Sequence, residues 1–110
     1  MFAFTQDVPI DSTLYRRIVD GLGAQPPHGL ILHLALERPE GGLRYLDVWE
    51  SEADCDRFTE ERLHPVVHPL LHERFGASPP EPPRTPLRPI DVWTPDRRTP
   101  ASLAGTPLPR

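Results

Sequence analysis

The sequence predicts a single small α+β domain built on a four-stranded antiparallel sheet. Three observations carry this. Two strand-like segments flank a Pro-Glu-Gly-Gly turn in the middle of the chain, as a β-hairpin requires. An amphipathic helical pattern stands on either side of that hairpin. Short strand-like runs lie at the two outer ends.

Taken in order, Phe2 to Gln6 reads as a first strand, rich in aromatics and closed by Pro9. Asp11 is a good N-cap for a helix from Ser12 to about Leu22. Leu14, Tyr15, Ile18, Val19 and Leu22 fall on one face of it, and Gly21, Gly23 and Pro26-Pro27 end it. Gly29 to Glu37 is the second strand, with Leu30, Leu32, Leu34 and Leu36 alternating against Ile31, His33, Ala35 and Glu37. Residues 38–42, Arg-Pro-Glu-Gly-Gly, make the turn, and Leu43 to Glu50 is the third strand.

Ser51 caps the second helix, and Glu52 and Asp54 suit the positive end of its dipole. This helix is expected to reach about Leu63. A further helical stretch runs from Val66 to Phe75, kinked at Pro69. A proline-rich connector from Ser78 to Pro86 leads to a fourth strand, Leu87 to Thr94, at a sheet edge because of Pro89. The domain thus covers residues 1–94, and residues 95–110 form a proline-rich tail expected to pack on a partner subunit. Asp-Val-Trp occurs at 47–49 and again at 91–93, without matching flanks.

Strand, helix, strand, strand, helix, strand is the ferredoxin-like βαββαβ order. Two helices cover one face of such a sheet. The second strand is apolar on both sides, so the other face is expected to meet a second copy of the chain.

Bulk composition removes several classes of function. The chain has 110 residues and a net charge of −4. Its 12 basic residues are all arginine, dispersed among acids, so no nucleic-acid partner is expected. One cysteine, Cys55, makes no internal disulfide and reads as a small core residue. No signal segment or membrane-spanning stretch is evident, and a cytoplasmic location is expected. No glycine-rich phosphate loop or dinucleotide fingerprint is present, and no cofactor is expected.

Chemistry is expected on the central hairpin. With a turn centred near residue 40, paired residues have numbers that sum to 80. His33 therefore falls opposite Asp47, with Tyr45 and Trp49 on the same face. A carboxylate opposite an imidazole orients it and raises its basicity, so His33 could draw a proton from a phenol or an activated methylene. The same contact would also serve as a structural pair. Tyr45, Trp49 and Trp93 could wall an aromatic pocket or fill a core.

His64, His68 and His72 stand four residues apart. Pro65 and Pro69 disturb that spacing and no adjacent ligand completes a motif, so His64 and His68 are read as cleft-mouth residues and not as a metal site. Arg62 lies in the inward arc beside Phe58 and needs a partner, with Asp47, Asp91 or the solvent as candidates.

Gly29-Leu30-Ile31-Leu32-His33, then Leu46-Asp47-Val48-Trp49-Glu50-Ser51, Phe58 and Arg62-Leu63-His64-Pro65 together resemble the dimeric α+β barrel proteins, in particular the antibiotic biosynthesis monooxygenase-like family. The resemblance covers roughly residues 1–94. It implies a homodimer and a cofactor-independent monooxygenase acting on a polycyclic or polyketide-like aromatic molecule. Polyketide cyclases, isomerases and members without known activity share the fold. Several oxygenases of the family use an Asn with Trp and His. This chain contains no Asn, which argues against haem degradation.

Overall fold

The computed structural model describes residues 1–77 and 79–95 in full and the backbone of residues 97–100. It is an α+β fold in which a four-stranded antiparallel sheet carries helices on one face. The strands are β1 (Phe2–Val8), β2 (Leu30–Glu37), β3 (Leu43–Trp49) and β4 (Thr85–Leu87), in the spatial order β2-β3-β1-β4. That order is what two split strand–helix–strand units give, and it is compatible with a ferredoxin-like fold.

The helix α1 (Ser12–Leu22) begins at Asp11, whose side chain accepts from the backbone N–H of Leu14 at 2.8 Å. Its apolar stripe buries Leu14 and Ile18 with Ile10 and Leu43. A second cluster joins Phe4 and Trp49 of the sheet to Cys55 of α2 (Glu52–Phe58).

The second helical region is one continuous run rather than a helix to Leu63 and a separate one from Val66. It passes from α2 through a wide π turn, Thr59–Leu63, into α3 (His64–Phe75). A π-type irregularity falls just before Pro65, and Pro69 stands inside α3. His64 N–H closes onto Thr59, and Pro65 sits in the first turn of α3, where a missing N–H costs least.

The hairpin has the expected register: His33 pairs with Asp47 and Ala35 with Tyr45. A bulge between Leu30 and Leu32 breaks the ladder at its far end. It turns Leu30 to the helix side, so the outer face of β2 carries three leucines rather than four. Leu34 and Leu36 stand 42% and 46% exposed there. At the turn Gly42 has φ +74°, and a Cβ on it would lie 2.7 Å from the Val8 carbonyl oxygen. Only glycine fits that close crossing of β1 and the turn.

The fourth strand differs from the expectation of Leu87–Thr94. The segment that joins the sheet is Thr85–Leu87, where Ala3 pairs with Leu87 and Thr5 with Thr85. It is a short edge strand that tolerates Pro86. Asp91–Thr94 is instead β5, which pairs with β6 (Arg97–Pro100) in a separate two-stranded ribbon. The tail thus begins with a strand paired to its own chain; residues 101–110, expected on a partner subunit, lie outside the described residues. Among the described residues no helix is long and apolar enough to cross a membrane.

Candidate functional site

The helix-facing side of the sheet presents Phe2, Phe4, Gln6 and Val8 from β1 beside Trp49, Asp47, Tyr45 and Leu43 from β3. Between this surface and the helices lies a cavity of about 180 Å³. Its walls come from both core clusters: Ile18 from one, and Phe4, Trp49 and Cys55 from the other. It is largely apolar, with polar groups gathered at two ends, the usual build of a small-molecule site.

At one end Asp47, 8% exposed, anchors the group. Its Oδ1 lies 2.6 Å from His33 Nδ1, and its Oδ2 accepts from Trp49 Nε1 at 3.1 Å. A carboxylate on Nδ1 places the proton there and leaves Nε2 as an acceptor. Nε2 faces the Tyr15 hydroxyl at 2.9 Å. Tyr45 closes the cluster, its ring centroid 5.0 Å from His33 and 5.8 Å from Tyr15. Burial pushes the Tyr45 phenol well above its ordinary value, helped by Tyr15 and Asp47. Burial also raises Tyr15, with the Asp47 charge second.

At the other end Arg84 lies over the rings of Phe4 and Phe2, its guanidinium carbon 4.8 Å and 5.9 Å from their centroids. Its Nη1 donates to Asp56 at 3.1 Å. A buried thiol, Cys55, stands nearby, and burial raises it to about 11.

A smaller chamber of about 110 Å³ adjoins the cavity past Tyr45, beneath the prolines of residues 79–82. His64 and His68 line it, rings stacked at 4.5 Å. The proline segment is tied down where Gln6 Nε2 donates to the Pro82 carbonyl at 2.7 Å, and His64 lies 3.7 Å from Glu81.

The structure therefore brings His33, Asp47, Tyr45 and Trp49 to one place and puts His64 and His68 beside it. Arg62 and Trp93 stand apart. Arg62 Nη2 donates to the carbonyls of Leu22 and Gln25, at 3.2 and 2.9 Å, with its guanidinium over Phe58. It takes neither Asp47 nor Asp91, so the Asp47 carboxylate is left to His33 and Trp49. Trp93 belongs to β5 and is 46% exposed; it donates to Asp91 at 2.6 Å and does not line the cavity. Among the described residues no three His, Cys, Asp or Glu side chains converge as metal ligands, His72 included.

Two members of the site are not marked by the sequence. Tyr15 belongs by its spacing to the apolar stripe of α1, and its hydroxyl alone hints that it does more. Arg84 lies in the proline connector between Pro83 and Thr85, where the sequence gives no clue to what it faces.

No family model matches the chain. Comparisons with curated proteins and with solved structures likewise find no match.

Proposed function

We propose that the chain is a small cofactor-independent enzyme of the dimeric α+β barrel kind. It admits an apolar polycyclic or polyketide-like aromatic molecule to the cavity and begins the reaction by drawing a proton off it with His33. The observation that carries this reading is the 2.6 Å contact from Asp47 to His33 Nδ1 at the end of an apolar cavity. Asp47 fixes the ring and stabilises the imidazolium that forms, while Tyr45 and Trp49 wall the substrate. In the monooxygenase-like form of the reaction, the carbanion left by proton removal meets dioxygen.

The test is oxygen consumption and product mass with anthrone, an enolisable tricyclic ketone, under air. Turnover by the wild type that vanishes in His33→Ala supports the proposal. Equal turnover by the two proteins sinks it. Ring closure or isomerisation in the same cleft is a second reading, favoured by the Tyr15 contact with His33.

The homodimer belongs to the same proposal. Leu34 and Leu36 stand exposed on the outer face of β2, and burying each against a second copy is worth about 2 kcal/mol. Sedimentation should give a dimer for the wild type and a monomer for Leu34→Arg. A wild-type monomer at high concentration would exclude this arrangement.

A further inference from the structure

Tyr15 reaches His33 from α1, on the opposite side of the ring from Asp47. Its hydroxyl lies 2.9 Å from Nε2, the one imidazole nitrogen that Asp47 leaves open. With Nδ1–H donated to the carboxylate, Nε2 accepts and the phenol donates. The two rings are nearly parallel, 11° apart, and both line the cavity. Burial together with the Asp47 charge holds the phenol above its ordinary 10, so it keeps its proton at neutral pH. A base with one lone pair thus stands beside an acid with one proton, at the edge of an apolar space.

We propose that Tyr15 is the general acid that works with His33, so that the site enolises a ketone carried on an apolar ring system. This rests on the reading of His33 as a base and narrows it to a reaction class. The ketone oxygen takes the Tyr15 O–H hydrogen bond away from Nε2, and the freed lone pair on Nε2 takes a proton from the neighbouring carbon. The C–H electron pair becomes the new C=C bond. The carbonyl π pair moves onto oxygen, which receives the Tyr15 proton. The products are an enol, an imidazolium and a phenolate. The imidazolium then returns its proton to Tyr15 across their existing contact, and the site is restored.

No electrons are gained or lost, and neither a cofactor nor oxygen is consumed. Without Tyr15 the developing enolate oxygen would have no hydrogen-bond donor in an apolar cavity, which is costly; with it the negative charge moves to a phenolate already in contact with the imidazolium. Reprotonation of the enol at another carbon is an isomerisation. Its attack on a second carbonyl of the same molecule closes a ring.

The experiment follows hydrogen–deuterium exchange of 2-tetralone, a ketone on a ring fused to a benzene ring, by NMR in D₂O with the full chain. The wild type should accelerate exchange, and His33→Ala should fall to the buffer rate. Tyr15→Phe should lose about a hundredfold. In Tyr15→Phe the downfield Nδ1–H resonance of His33, recorded separately in H₂O, should persist, which shows that the Asp47 contact is intact and that the lost rate is not a collapsed fold. An unchanged rate in Tyr15→Phe beside a dead His33→Ala overturns the role of Tyr15 and leaves His33 as base. Full exchange in His33→Ala overturns the base itself. A wild type no faster than buffer at saturating ketone overturns both.

Discussion

Asp47 meets His33 across one rung of the central hairpin, Oδ1 2.6 Å from Nδ1, and gives its other oxygen to the indole N–H of Trp49 at 3.1 Å. One buried carboxylate therefore satisfies two donors on two adjacent strands, which ties the orientation of the imidazole to the packing of the core.

Asp47→Asn keeps the shape and removes one acceptor. An amide cannot accept from both His33 Nδ1–H and Trp49 Nε1–H with separate oxygens, so one buried donor loses its partner. Urea denaturation should show a loss of about 1–3 kcal/mol. Nitrogen-15 shifts of His33 should show the proton partly moved to Nε2, the wrong tautomer for a base, and exchange activity should fall with it.

Gly42 and Gly76 share nearly the same backbone angle, φ +74° and +75°, in unequal surroundings. Alanine at either position carries the left-handed penalty of about 1–2 kcal/mol. At Gly42 the new methyl also meets the Val8 carbonyl oxygen at 2.7 Å, whereas at Gly76 nothing lies within 4 Å. Gly42→Ala should unfold at distinctly lower denaturant than Gly76→Ala.

Cys55 is 2% exposed, and burial raises its thiol to about 11. At pH 8 an aromatic disulfide reagent should leave the native protein unmodified and react at once in denaturant, because both access and thiolate are missing in the fold. Rapid modification of the native chain would contradict the burial.

Asp11 accepts from Leu14 N–H and, at 2.7 Å, from Arg74. The backbone bond first and Arg74 second hold its carboxyl below the ordinary 3.8. A folded pKa below the unfolded one stabilises the fold fully above 3.8, and the contribution is lost as pH falls through the folded value. Asp11→Asn retains a cap oxygen and loses the charge. Its stability deficit against the wild type should therefore shrink in acid, as paired denaturation curves at neutral and acidic pH would show.

The hairpin was legible because strand pairing is arithmetic once the turn is placed. The Pro-Glu-Gly-Gly turn by itself makes His33 and Asp47 partners. The helix α1 was equally plain, since Asp11 and Gly23 mark its two ends. The fourth strand was not, because Thr85–Leu87 is short, holds a proline and is exposed, while Val92 and Trp93 look more strand-like and pair elsewhere. The site was half legible for a related reason. Tyr45 and Trp49 share a strand with Asp47 and follow its alternation. Tyr15 comes from a helix, and helical periodicity tells which face a residue lies on but not which strand atom its tip will meet. Arg62 shows the converse: its inward position was plain, but backbone carbonyls at the end of α1, which no pattern reveals, satisfy it.

The Asp47–Trp49 contact also makes the protein its own optical probe. Its two tryptophans differ sharply: Trp49 is 2% exposed at the cavity wall with its indole tied to Asp47, and Trp93 is 46% exposed on the separate ribbon. With Trp93 replaced by Phe, the remaining fluorescence comes from the wall of the cavity alone. Any molecule that enters would register as a shift or quench of that emission, so candidate ligands can be titrated before a reaction is known.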